Sequence, residues 1–230
     1  MTEEYLTDDE QLEVVKHAFK EYAPWIIGGV LIGAGVFFGI RYYQNYVNER
    51  ALKAAAQFSA MTAALQSNDK PKSRELADGL IKDYAKSPYA DQAQLTLARL
   101  DVDEGQLDKA IAPLTKVMND SKDTELRQIA RLRLARVLTD QGKSDEAIKT
   151  LAEPMPAAFA VPYHEARGDA FLAKKAVPDA LTEYQAALAA AEAGGGEGGL
   201  LELKIQDLGA VPGAPLAKAN SADTPNKAKP

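Results

Sequence analysis

Residues 22–40 read YAPWIIGGVLIGAGVFFGI, nineteen residues without a charge. No other stretch of the chain limits its possible folds so much. At a rise of about 1.5 Å per residue, a helix of this length crosses roughly the 30 Å hydrocarbon core of a bilayer. Tyr22 and Trp25 stand at one end and Tyr42 and Tyr43 beyond the other, where amphipathic rings settle at headgroup level. Pro24 suits a first helical turn, which has no use for its missing N–H. Arg41 can carry its guanidinium back to the headgroups on its apolar stem. A cleaved signal peptide is the competing reading. Its nearest small-residue site, Ala54-Ala55-Ala56, follows thirteen mostly polar residues, 41–53, too far from the apolar run. The expectation is a retained anchor over residues 22–43.

The run holds five glycines, Gly28, Gly29, Gly33, Gly35 and Gly39. At 100° per residue, Gly28, Gly35 and Gly39 fall within about 40° of one another. The pairs Gly29 and Gly33, and Gly35 and Gly39, have the spacing at which membrane helices approach closely. Such pairs also arise by chance in apolar segments. Five together favour packing against other transmembrane helices.

The charge of −6 is uneven, with seven acids and two lysines in residues 1–24, a balance of −5 that leaves −1 for the rest. A nearly neutral remainder without a basic stripe argues against nucleic acid as a partner. The chain has no cysteine, which removes disulfides, thiol catalysis and cysteine–metal sites. Residues 1–21 form an acidic arm. Thr7, Asp8, Asp9 and Glu10 before Leu12, Val14, Val15 and Phe19 look like a helix start; an amphipathic surface helix and a solvated tail both remain open. Flanking charge does not orient the anchor: Lys16 and Lys20 precede it, and Arg41, Arg50 and Lys53 follow.

Beyond the anchor the pattern stays helical to Leu65, so the anchor is expected to continue as a stalk. Residues 67–71, SNDKP, break it, and a further amphipathic helix over 72–84 ends before Ser87-Pro88. Then the chain repeats itself. DEGQLDKAIAPL (103–114) and DQGKSDEAIKTL (140–151) share a glycine, Asp-x-Ala-Ile and Leu; AKKAVPDALTEY (173–184) has Lys175 where glycine stood. Ala110, Ala147 and Ala180 lie 37 and 33 residues apart, and each follows a small residue by twelve: Ala98, Ala135 and Gly168. Stepping back 33 from Ala110 reaches Ala77. Small residues at such spacing let the two helices of a hairpin approach, with Gly105 and Gly142 suited to left-handed caps. The period and order resemble the tetratricopeptide repeat, although its tryptophan and final proline positions are mostly absent. Four degenerate hairpins are expected over 54–193; a helical bundle with alanine-rich contacts is the other reading.

After GGGEGG (194–199), the segment LLELKIQDL (200–208) alternates Leu201, Leu203 and Ile205 as on a strand face. Nine residues leave helix and strand both open. From Gly209 onward the composition is that of a disordered tail.

Chemistry is sparse. His17 and His164 lack paired metal-ligand spacing, the carboxylates are scattered, and GGGEGG lacks the Lys-Ser/Thr of a phosphate loop. No enzyme activity, cofactor, metal or small-molecule substrate is expected.

The TDDEQLEVVKHAFKEY arm, the anchor over 25–43 with its trailing RYYQ, the hairpins and the LLELKIQDL segment are together similar to the YfgM-like family of ancillary Sec translocon subunits. The resemblance covers about residues 5–208. It implies an all-α chain: one N-terminal transmembrane helix followed by a tetratricopeptide-like helical-hairpin solenoid. Its parts would be the arm (1–21), the anchor (22–43), the repeat domain with stalk and C-terminal segment (44–208) and the tail (209–230). It further implies a single-pass bacterial inner-membrane protein with a cytoplasmic N-terminus and a periplasmic domain. Partners would be the SecYEG channel, the membrane-anchored chaperone PpiD and membrane lipid, with the chain linking channel to chaperones. Two alternatives stand beside this: a membrane regulator sequestering a cytoplasmic signalling protein, and a general envelope scaffold.

In the tetratricopeptide register the residue after each small position on a first helix faces the concave side. That nominates Arg99 and Arg136 as a partner groove, with Leu95 and Leu132 one turn earlier. Asp103 and Asp140 lie four residues after the arginines, in reach of helical pairing. Such guanidinium forks would suit a partner carboxylate. The other reading makes both arginines solvated charges on an outer face.

Overall fold

A computed structural model describes residues 8–196 and 198–213, with side chains from residue 27 onward and at 16, 20, 22 and 25. The chain divides into two units, 1–56 and 57–230.

Asp8–Gln66 is one helix, α1. It includes the helical part expected of the arm, while Thr7 and the side chains of Asp8, Asp9 and Glu10 lie outside the described residues. In the first unit the large apolar side chains of α1 are uncovered: Trp25 is 81% exposed and Phe38 68%. A Cβ added at Gly28, Gly29, Gly33, Gly35 or Gly39 would meet nothing within 4 Å. Among the described residues, no helix is long and apolar enough to cross a membrane. The side chains of Ala23, Pro24 and Ile26, inside the uncharged run, are not among those described.

The second unit is built from helical hairpins. The last turns of α1 pair with α2 (Lys70–Asp83), where the Gln57 amide donates to the Leu76 carbonyl at 2.9 Å and Phe58 stacks on Tyr89 at 5.1 Å. Then come α3 (Pro88–Asp103) with α4 (Leu107–Asp120), and α5 (Thr124–Asp140) with α6 (Ser144–Thr150). The last pair is α7 (Ala160–Ala173) and α8 (Val177–Ala193), followed by α9 (Gly199–Asp207). From α2 onward each helix packs on its successor, and α5 also packs on α7. The small residues sit at the crossings: Ala77, Ala110, Ala147 and Ala180 are fully buried, and Ala98 and Ala135 nearly so. Leu114, Leu151 and Tyr184 are buried beside them. Asp69, Ser87 and Asp123 cap α2, α3 and α5 by accepting backbone N–H bonds, satisfying donors a helix start leaves free.

The hairpin turns are alike. Gly105 N–H donates to Val102 O and Gln106 N–H to Asp101 O; Gly142 and Lys143 repeat this on Thr139 and Leu138. This is the Schellman pattern, which needs a left-handed residue. Lys175 and Ala176 make the same bonds to Leu172 and Phe171, and Lys175 therefore adopts φ +63°, beside +72° and +75° at the two glycines. A side chain in that conformation costs roughly 1–2 kcal/mol. Lys175→Gly is accordingly expected to stabilise the fold by about 1 kcal/mol, raising the melting temperature by roughly 2–4 °C. No rise in the full-length chain's melting curve would show that the turn relaxes by another route.

Two expectations are refined. The LLELKIQDL segment is helix: Leu201 and Ile205 are buried against α8 while Leu203 is 58% exposed. Ala210, assigned to the tail, packs on the α8–α9 cluster; residues 214–230 lie outside the described ones. The helix α6 has only seven residues. Its early end is held by side chains, with Arg131 donating to Thr150 O at 2.6 Å and Glu153 O at 2.8 Å, and Tyr163 and Arg167 to Leu151 O. Carbonyls that a longer helix would have used are thereby satisfied.

Candidate partner-binding groove

The helices α3, α5 and α7 are the first helices of successive hairpins, so equivalent positions on them line up. Arg99 and Arg136 are exposed, and both line one depression of about 400 Å³ together with Ala98, Val102, Leu114, Arg133, Val137 and Asp140. Arg99, Arg136 and Asp140 thus line one depression; Asp103 stands beside it, with Arg99 Nε 3.7 Å from its carboxylate.

The leucines do not join them. Leu95 and Leu132 are buried in the core that α3 to α7 share, because a residue three before the small crossing position points inward with it. The exposed apolar group of the depression is Val102, at 36%. The expected pairing of Arg136 with Asp140 is also replaced. Arg136 Nη2 lies 3.7 Å from Glu165 of α7, since the hairpin beyond offers a carboxylate across the helix contact.

Arg133 is the residue that sequence reasoning missed. It lies three before Arg136, on the adjoining strip of α5, and that spacing was the available signal. No carboxylate among the described residues lies within ion-pair distance of it. Although the residue is exposed overall, burial and then the charges of Arg99 and Arg136 push its guanidinium below its ordinary value. The neighbouring Arg131, by contrast, is committed to the α6 carbonyls.

In the last hairpin, α7 with α8, the face turns acidic. Glu165 lies three residues before the Gly168 crossing and Asp169 one after it, the positions that Leu95 and Arg99 hold around Ala98. Lys204 of α9 reaches both, at 2.9 Å and 2.8 Å. Burial opposes its charge, but the hydrogen bonds and charges of Asp169 and Glu165 raise its pKa overall. Tyr184 donates to the same Asp169 at 2.7 Å, beneath the Lys204 ammonium; burial first, then Asp169, push the phenol up. So α9 answers the acidic end of the face, and the basic end is left open.

His164 has a structural partner: its Nδ1 is 2.8 Å from Glu183, which also accepts from Arg167 at 2.9 Å. The side chain of His17 lies outside the described residues. Among the described residues, no three His, Cys, Asp or Glu side chains gather as metal ligands. A larger depression, about 560 Å³, lies at the hairpin turns, lined by Gly105, Gln106, Asp108, Lys109, Gln141 and Lys143 among others. Its charges are mixed and do not converge.

The tetratricopeptide repeat-like domain family matches residues 16–210. The chain is 30% identical over 125 residues to the ancillary SecYEG translocon subunit of Escherichia coli (strain K12), covering 54% of this chain and 60% of that protein. It is 29% identical over 186 residues to the protein of the same name in Neisseria gonorrhoeae, covering 80% and 88%. For the Haemophilus influenzae protein of that name the identity is 26% over 124 residues, 54% of this chain and 60% of the relative. The matches thus span less than two thirds of the E. coli and H. influenzae proteins. No solved structure matches the chain. The resemblance to ancillary translocon subunits therefore holds at the level of sequence. With hairpins in register and a match running from the first helix to beyond α9, the chain belongs to the tetratricopeptide repeat-like domain family.

Proposed function

We propose that this chain is a membrane-anchored, non-enzymatic protein-interaction subunit of the Sec translocon. The observation that carries the reading is the first-unit part of α1, whose large apolar side chains are uncovered, in a chain similar to ancillary SecYEG translocon subunits. So large an apolar surface calls for a cover, and a bilayer with neighbouring transmembrane helices supplies one. The arm would be cytoplasmic and the hairpins periplasmic in the bacterial inner membrane. Gly28, Gly29, Gly33, Gly35 and Gly39 would pack on channel helices, and the groove of Arg99 and Arg136 would hold a protein segment. The chain would connect the channel to a PpiD-type chaperone. The acidic arm favours one second reading, capture of a cytoplasmic regulator.

Photo-crosslinkers placed at Phe38, Val102 and Leu12 test this in intact membranes. Adducts to SecY-type helices from Phe38 and to a membrane-anchored chaperone from Val102 are expected. Adducts to a cytosolic protein from Leu12, with none to the channel, would replace the translocon reading by the regulator.

A further inference from the structure

Arg99, Arg133 and Arg136 bring three guanidiniums to one depression whose lining contains a single acid, Asp140. The two flanking carboxylates, Asp103 and Glu165, stand 3.7 Å from Arg99 and Arg136. That separation lies beyond the 2.7–3.2 Å of an N–H···O hydrogen bond, so these pairs attract without filling the donors. Arg133 has no acid among the described residues within ion-pair distance. A guanidinium presents five N–H groups in a planar fork matched to a carboxylate. The depression, about 400 Å³, has room for a few side chains, and Val102 gives it an apolar contact.

We infer that this depression is a binding site for an acidic segment of a protein partner, with carboxylates on Arg133 and its two neighbouring arginines and an apolar side chain against Val102. The inference rests on the protein-interaction reading above and names the chemistry of the segment. Charge complementarity selects the occupant. A basic segment would meet like charge, and a neutral one would leave the forks unfilled. The last hairpin supplies an internal counterpart: where the same face is acidic, the chain's own Lys204 occupies it. By holding Glu165 at 2.9 Å, Lys204 keeps that carboxylate from closing on Arg136, which it approaches only to 3.7 Å. Glu165 is thus a competitor of the incoming carboxylate, and Lys204 a positioning residue that restrains it.

The test uses the full-length chain in detergent micelles and a fluorescein-labelled peptide with the core Glu-Leu-Glu-Leu-Glu, followed by anisotropy. Its Gln-for-Glu counterpart should bind about tenfold more weakly, as loss of charge-assisted bonds implies. Arg133→Gln should weaken the acidic peptide by about tenfold, and Arg133→Lys by less. Glu165→Gln should tighten it by roughly two- to threefold, a gain that misfolding cannot produce. Lys116→Gln, on the exposed side of α4, should change nothing. Equal binding of the two peptides, or an Arg133→Gln chain that binds as wild type does, would overturn the site. If inorganic phosphate displaces the peptide and a Glu-Ser-Glu-Ser-Glu core binds equally well, the depression takes free anions and the peptide assignment fails. None of these arms involves the translocon. A chain that shows the Arg133 dependence but no channel adducts sinks the translocon reading alone; channel adducts without the Arg133 dependence sink this site alone.

Discussion

Gly168→Ala is expected to destabilise the hairpin unit by about 1–2 kcal/mol, although alanine is ordinarily the better residue inside a helix. Propensity alone predicts a gain of roughly 0.5–1 kcal/mol on that exchange. Packing reverses the sign. A Cβ at Gly168 would stand 2.5 Å from Cε1 and 2.6 Å from Cδ1 of Tyr184, and overpacking of this kind costs about 1–3 kcal/mol. The ring cannot step aside cheaply: it is fully buried, its hydroxyl is held on Asp169, and the Lys204 ammonium lies 5.3 Å from its centroid. Gly79 provides the comparison. There the added Cβ meets the Gln57 amide nitrogen, the far end of a flexible side chain that can swing away at the loss of its bond to Leu76 O, a cost of about 1 kcal/mol that offsets the propensity gain, so Gly79→Ala should be nearly neutral. Thermal melting of both variants decides the matter. A stable Gly168→Ala chain would mean that α7 and α8 do not depend on this close approach.

The same glycine shows how much could be read in advance. Ala98, Ala135 and Gly168 were legible as crossings because backbone approach leaves a size constraint that survives when other residues vary. The turns were legible through Gly105 and Gly142, and even Lys175 kept their geometry without their residue type. The C-terminal segment was not. A strand would place Leu201, Leu203 and Ile205 on one face, whereas a helix turns Leu203 away, and nine residues carry too few periods to choose. On the groove, the repeat register pointed to Arg99 and Arg136, which line one depression because equivalent positions stack. It could not find Arg133, whose counterparts Thr96 and Ala166 carry no charge. It also placed Leu95 and Leu132 outside, since four-residue spacing suggests a shared strip. The strip is wide enough that Arg99 meets solvent while Leu95 meets the core. Where Glu165 would lie depended on how α7 packs on α5, which no local pattern encodes.

Arg74→Met should lower stability by about 2 kcal/mol, the other large effect expected in the hairpin unit. Arg74 on α2 reaches across to α3, with Nη1 2.8 Å from the Asp101 carboxylate and Nη2 3.1 Å from Glu104. The Asp101 side chain is only 6% exposed, so removing the guanidinium strands a buried charge. Breaking a fully buried pair costs about 3–5 kcal/mol. Arg74 itself is one-third exposed, and water can enter the space it leaves, which argues for the smaller figure. The damage should extend to the turn. The Asp101 backbone carbonyl accepts the Gln106 N–H that closes the first Schellman turn, so disturbing this residue loosens the start of α4 as well as the contact between α2 and α3. Asp101→Asn keeps an acceptor in place without stranding a charge and should cost less, about 1 kcal/mol. Pairing Arg74→Met with Asp101→Leu removes both partners and should recover part of the loss, because two apolar side chains can occupy the interface without unpaired charge. A double variant as unstable as the sum of its parts would show that Arg74 acts through its packing against α3, and not through the carboxylate.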